Sequence, residues 1–252
     1  MIREKLILLT NDDGYFAPGI KALEREIKKL ARVLVVSPDR EQSASSHSLT
    51  LQRPLRINKH DNMHFSVDGT PTDSVMIGVH ALLKGRKPDL LISGINHGPN
   101  MGDDVTYSGT VAGAIEGSIL GIPSIAVSLA DWEANDYVPA ARATRKIVRQ
   151  LSEWPFPESI FLNVNIPYLG KNPYKGARIT KLGKRVYNDI IVEKTDPRGK
   201  HYYWIGGEPE WTDIDGSDYS AVRSGYISIT PLALDMTSHS TFREFKDLKI
   251  KV

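Results

Sequence analysis

Cysteine does not occur in the 252 residues, which excludes disulfides, thiolate nucleophiles, zinc–thiolate centres and iron–sulfur clusters together. A metal here must sit on oxygen or imidazole. No apolar run approaches the roughly 20 residues that span a bilayer. The N-terminal stretch MIREKLILLTNDDG has only a short apolar run before two carboxylates, without the length or the small-residue cleavage site of a signal peptide. An excess of one charge is also missing. Lys and Arg number 32 against 30 Asp and Glu, a formal net charge of +2, so no global field recruits a nucleic acid polymer or an acidic membrane. Any polyanionic ligand must be held locally. What is present, 40% hydrophobic and 25% charged residues, suffices to bury one sizeable core. The expectation is a soluble cytoplasmic protein.

The first half alternates short apolar runs with helix-period segments, the pattern of a mostly parallel sheet flanked by helices. Lys5 to Thr10, Arg32 to Ser37, His64 to Asp68, Asp89 to Ser93, Ile122 to Leu129 and Ile160 to Ile166 read as strands, and Leu49 to Ile57 as extended. Helices are expected from Gly19 to Leu30, with Ile20, Leu23, Ile27 and Leu30 on one face. Others should run from Thr70-Pro71 to about Leu83, from near Ser108 to Gly121, and from Val138 to Leu151. Past Pro167 a two-residue period, turn signals and aromatics take over, in ARITKLGKRVYNDIIVEK, DPRGKHYYWIGG and SGYISITPLAL. These predict hairpins that extend from the body and pack on a partner subunit, since isolated hairpins are marginal in water. A short helix is expected over Thr241 to Leu248. The whole reads as a single α/β domain, with a catalytic body over 1–167 and hairpin arms and a tail over 168–252.

In an open parallel sheet, ligands bind beyond the carboxyl ends of the strands. Asn11-Asp12-Asp13-Gly14 follows the first strand directly. Two adjacent carboxylates there repel each other unless a cation or basic group lies between them. The same residues also suit a turn at Asp13-Gly14 with Asp12 capping the next helix. In Ser93-Gly94-Ile95-Asn96-His97-Gly98-Pro99-Asn100-Met101-Gly102-Asp103-Asp104, glycines permit close backbone approach while Asn96 and Asn100 offer amides to a metal or phosphate. Asp103-Asp104 reads as a solvated face or cap, and His97 as an exposed loop histidine or a ligand. Ser108, Gly109 and Thr110 open a helix whose free N–H groups and dipole attract an anion, although a plain N-cap explains them equally. The long loop after the second strand carries Ser43, a possible hydroxyl ligand, and His47, a possible proton carrier. Gly69-Thr70-Pro71-Thr72-Asp73 needs no role beyond capping.

Oxygen donors of this kind select a hard or borderline cation such as Mg²⁺, Mn²⁺ or Ca²⁺. A cation beside an anion site is what metal-assisted phosphoester hydrolysis requires. No G-x-S-x-G elbow points instead to an acyl-enzyme hydrolase. A receiver-like signalling domain also places a carboxylate pair after its first strand, but Asp89 to Ser93 ends in Ser-Gly rather than a phospho-accepting Asp. A nucleotide sensor without turnover would need the same loops.

NDDG, PDREQSASSHSLT, GTPTDSV, SGINHGPNMGDD and YSGTVAGAIEG, in this order, resemble the stationary-phase survival protein SurE family. The likeness is dense from Leu8 to about Leu129 and thinner beyond, resting there on NVNIP and GYISITPL. The resemblance implies a Rossmann-like body with C-terminal arms exchanged between subunits, in a homodimer or homotetramer. It implies a phosphatase acting on nucleoside 5′-monophosphates, and in some members on 3′-nucleotides or short polyphosphate. It implies one divalent cation per subunit, held by Asp12, Asp13, Ser43 and Asn96, with Asp12, Asp13 and Asn96 as catalytic residues. The family's phosphate site falls on Asn100, Ser108, Gly109 and Thr110. Water held by that cation would attack phosphorus in line, with Asp12 as a nucleophile the alternative route.

Overall fold

The computed structural model describes residues 5–151, 156–157, 159–187, 190–206, 209–246 and 248. Its centre is a nine-stranded sheet. Six strands are parallel neighbours: β1 (Leu6–Thr10), β2 (Arg32–Pro38), β4 (His64–Val67), β5 (Leu90–His97), β6 (Ser124–Leu129) and β7 (Ile160–Ile166). β3 (Ile57–Lys59) caps one edge antiparallel to β4. At the other edge β13 (Ile227–Ala233) pairs antiparallel with β7, and β8 (Ala177–Ile179) pairs with β13. The spatial order is β3-β4-β2-β1-β5-β6-β7-β13-β8. β1 and β6 are buried along their whole length, as strands covered on both faces must be.

Helices α1 (Pro18–Ile27) and α4 (Val138–Leu151) cover one face, where Ile20, Leu23 and Ile27 pack with Ile7, Leu9, Val33 and Val35. Each such fully buried side chain contributes about 1.5–3 kcal/mol. The buried Glu26 of α1 meets Arg145 of α4 at 2.9 Å and Lys29 at 2.5 Å, so the two helices share a paired charge. Helix α2 (Pro71–Met76), continued by a π-helix over Ile77–Leu82, and α3 (Gly109–Ile119) cover the other face. Thr70 and Asp73 form a reciprocal capping box, which is the capping role expected of GTPTD.

The differences from the sequence reading have local causes. Leu49 to Ile57 is largely a loop, held by Thr50 hydroxyl to Asp73 (2.7 Å) and Arg53 to Asp68 (3.1 Å) rather than by a ladder; only Ile57 reaches β3. The strand expected to stop at Ser93 runs on to His97, because a bulge at Ile95 lets the glycine-containing stretch stay paired with β6. GYISITPL is no free hairpin: as β13 it joins the body sheet, so a boundary at Pro167 does not follow the sheet. α5 (Asp218–Arg223), capped by the Ser217 hydroxyl, was not expected.

The arms are present as two ladders, β9 (Lys184–Tyr187) with β12 (Pro209–Thr212) and β10 (Ile190–Thr195) with β11 (His201–Gly206). Residues 188–189 and 207–208 of the stretch read as hairpins lie outside the described residues. α6 (His239–Phe245) answers to the expected terminal helix, whose position 247 also lies outside them.

Candidate active site

From β1 the chain passes leftward to β2 and β4, then returns to β5 on the other side of β1. Ligands of open α/β sheets bind at such a reversal. Immediately past β1, the Asn11 amide donates to the Gly14 carbonyl (2.9 Å) and folds the chain into a turn. That turn carries Asp12 and Asp13 over the sheet's edge. Asp12 is buried; its Oδ1 accepts the Thr110 hydroxyl, and its carbonyl accepts the Gln42 N–H at 2.7 Å. The second contact draws the loop after β2 to the site and sets Ser43 beside the carboxylates. Asp13 accepts the His97 N–H, which ties the end of β1 to the end of β5.

The bulge at Ile95 re-aims Asn96. Its amide nitrogen donates to the carbonyls of Gly98 (2.9 Å) and His97 (3.2 Å), which directs Oδ1 the opposite way. Asn100 is fixed by a buried network: its N–H donates to Asn165 Oδ1 (2.9 Å), its Nδ2 to Ser128 Oγ (2.8 Å). Its carbonyl accepts the amides of Asn163 (2.8 Å) and Asn165 (2.9 Å). Ser108 caps α3 by accepting the Val111 N–H at 3.1 Å. Gly109 packs against Asp12, 2.8 Å separating Asp12 Cβ from where a side chain on Gly109 would begin. No larger residue permits that approach.

A cavity of about 350 Å³ results, and six of the eight residues singled out from the sequence line it: Asp12, Asp13, Ser43, Asn96, Asn100 and Ser108. Gly109 and Thr110 stand behind Asp12 and support it. Size does not single the cavity out. A larger one, about 650 Å³, lies between α4 and the 170–177 segment but carries no carboxylate pair.

Burial raises Asp12 above the ordinary carboxylate range, against the opposing pull of the Thr110 hydroxyl. Burial, then the neighbouring Asp12 charge, pushes Asp13 up to about 7. Among the described residues, no cationic side chain draws either of them down. Two desolvated carboxylates without a basic partner are the electrostatics that a cation relieves. Among the described residues no three His, Asp or Glu side chains converge on one point. The donors on offer are two carboxylates, the Asn96 amide oxygen and the Ser43 hydroxyl, which itself donates to Glu41 Oε1 at 2.6 Å. An all-oxygen set of this composition fits a hard divalent cation.

Three residues weighed in the sequence lie outside the cavity. His47 pairs with the buried Glu116 of α3 at 2.8 Å. Asp73 caps α2. Asp103 pairs with Lys184 of β9 at 2.9 Å. Asp104, expected to be solvated, is buried, lines the cavity and is paired with Arg185 of β9. Arg185, Trp132 and Glu41 line the cavity without having been singled out. Only Glu41 carried a signal, as an oxygen donor two residues before Ser43; the others arrive from elements whose placement the chain order does not reveal.

Residues 7–189 match the family described as Survival protein SurE. "5'-nucleotidase SurE" of Geotalea daltonii is 50% identical over 246 residues, 97% of this chain and 99% of that protein. "5'-nucleotidase SurE" of Aquifex aeolicus is 48% identical over 244 residues, 96% of this chain and 97% of its own. A solved structure, "Crystal Structure of Sure Protein from Aquifex aeolicus", superposes with a TM-score of 0.87 at 48% identity, covering 96% of this chain and 98% of that one.

Proposed function

Because this chain belongs to the survival protein SurE family, we propose that it is a 5′-nucleotidase, hydrolysing nucleoside 5′-monophosphates to nucleoside and orthophosphate. The observation that carries this reading is the convergence of Asp12, Asp13, Ser43 and Asn96 in one cavity beside the start of α3. These four would hold one divalent cation, Mg²⁺, Mn²⁺ or Ca²⁺, with Asp12, Asp13 and Asn96 as the catalytic residues among them. Bound there, such a cation polarises a phosphoryl oxygen and makes water a better nucleophile. Thr110 keeps Asp12 in one orientation. The Asn100 amide and the Ser108 hydroxyl bind the phosphate near the positive end of the α3 dipole, and Gly109 and Thr110 serve that site from behind by holding Asp12 in place. Water attacks phosphorus in line, the ester P–O bond breaks, and the proton count balances as nucleoside and orthophosphate leave; no phospho-enzyme forms.

The same site accepts 3′-nucleotides and short polyphosphate, which present the same terminal phosphate. Among the described residues no helix is long and apolar enough to cross a membrane, and the protein works in the cytoplasm. The arm exposes Ile191, Tyr203, Trp204 and Ile205, the last 94% accessible, which supports a homodimer or homotetramer assembled through it.

Phosphate release from a panel of nucleoside monophosphates, lost on chelation and restored by Mn²⁺ or Mg²⁺, is the expected result. Purified protein that released no phosphate with any metal would overturn the enzyme reading. Single turnover in ¹⁸O water places the label in orthophosphate; label retained in the protein would instead identify Asp12 as a nucleophile.

A further inference from the structure

We propose that Trp132 is the platform on which the nucleobase of the substrate stacks. The inference rests on the nucleotidase reading and extends it to the end of the substrate remote from phosphorus. Trp132 lines the same cavity as Asp12 and Asp13, yet its side chain is 61% exposed. A large aromatic left open at the rim of a polar cleft, instead of folded into the core, is surface held ready for a flat apolar ligand.

It is also held in place. The ring lies directly over Gly98, whose φ is +94°; a Cβ there would stand 2.3 Å from Cζ3 of the indole. The Trp132 carbonyl accepts His97 Nε2 at 2.9 Å, and the His97 ring meets the indole edge-on at 5.8 Å. The loop itself is braced by Asp131 Oδ1, which accepts the Glu133 N–H at 2.8 Å. His97 therefore has two bonds with two purposes. Its backbone N–H goes to Asp13, and its ring goes to the loop of Trp132, so one residue sets the spacing between the carboxylates and the indole. A nucleotide is the phosphate monoester that needs both ends at once: an anion beside the oxygen cluster, and an aromatic ring beside an aromatic ring. Tyr107, also exposed, lines the cavity as a second aromatic wall.

The test separates the two ends of the substrate. Adenosine and orthophosphate, the two products of AMP hydrolysis, serve as competitive inhibitors of the Mn²⁺-loaded enzyme and of Trp132→Ala and Trp132→Phe. Loss of a base–aromatic stack predicts that Trp132→Ala weakens adenosine inhibition about tenfold. Orthophosphate inhibition stays within about twofold, and Trp132→Phe keeps most of the adenosine affinity. An equal loss for both inhibitors, or no loss for adenosine, overturns the platform. A wild-type protein that hydrolyses no nucleotide fails the nucleotidase reading instead; adenosine binding measured by titration calorimetry on wild type and Trp132→Ala then decides the platform on its own, with an unchanged affinity overturning it.

Discussion

A methyl group on Gly109 would stand 2.8 Å from the Cβ of Asp12 and 3.0 Å from its Oδ2. Helix α3 thus begins against the carboxylate that the Thr110 hydroxyl holds, and the missing side chain is what lets anion site and oxygen cluster adjoin. Gly109→Ala must push Asp12 or α3 aside. Overpacking of this kind costs about 1–3 kcal/mol. The expected result is a folded protein melting a few degrees lower, with turnover reduced at least about tenfold by the displaced carboxylate. Thermal melts and steady-state phosphate release measure the two effects; full turnover would mean that Asp12 is not positioned by this contact.

Asp12→Asn removes one of two adjacent buried charges. Without metal the variant should be as stable as the parent or more so, since a repulsion is relieved. Its affinity for Mn²⁺ or Mg²⁺ and its turnover should both fall. Melting with and without cation, together with calorimetric titration, checks this. Unchanged turnover would remove Asp12 from the site.

Asp218 is fully buried and accepts three backbone N–H groups, from Gly102 (2.9 Å), Gly183 (2.8 Å) and its own neighbour Tyr219 (2.8 Å). It thereby joins the loop after β5 to the root of β9. Asp218→Ala leaves those donors without their acceptor, at about 1–3 kcal/mol each. Urea unfolding should show a loss of at least about 3 kcal/mol, with Asp218→Asn intermediate because one oxygen remains. A loss below about 1 kcal/mol would show that the loops re-pair elsewhere.

His64 bridges Glu24 of α1 (2.6 Å) and Asp61 (2.7 Å) through its two ring nitrogens, and both can donate only when the ring is charged. Burial pulls the imidazolium down, but the two carboxylates outweigh it and hold His64 above its ordinary value. A raised value in the folded state contributes stability that is full below the unfolded value, about 6.5, and lost as pH rises through the folded one. His64→Gln should therefore lower the melting temperature more at about pH 5.5 than at about pH 9. A gap that widened with pH would contradict the bridge.

Cutting the chain after Pro167 would remove β13 and leave β7 as an open edge, so aggregation rather than a tidy monomer is expected. Replacing only the β10–β11 ladder by a short Gly-Ser turn spares the body sheet. That variant should fold and lose its assembly, read by light scattering; an unchanged mass would remove the arm from the interface.

How far the residues alone disclosed this molecule depends on how local the cause was. LILLT is apolar throughout, and β1 is buried throughout. Thr70-Pro71 with Asp73 announced a cap that formed. The oxygen cluster was legible because strand-ending carboxylates and amides are rare enough to notice and the loops after parallel strands share one edge. The stretch from Gly94 to His97 was misread as loop because glycine signals a turn and a paired bulge alike. GYISITPL alternates as a hairpin strand does, and only pairing with β7 distinguishes the two. Arg185 and Trp132 reach the cavity through tertiary placement, for which periodicity holds no signal.

The reversal of the chain between β4 and β5 has a kinetic meaning. Asp12 and Asp13 end the first strand, but the strand that carries Asn96 and His97 joins them only when Leu6 meets Asp89 across 83 residues. Closing so long a loop costs chain entropy before the pairing repays it, which slows folding. Until that pairing forms, the carboxylates face no opposite wall. A ligand of the crevice should therefore bind only chains in which β1 and β5 have paired.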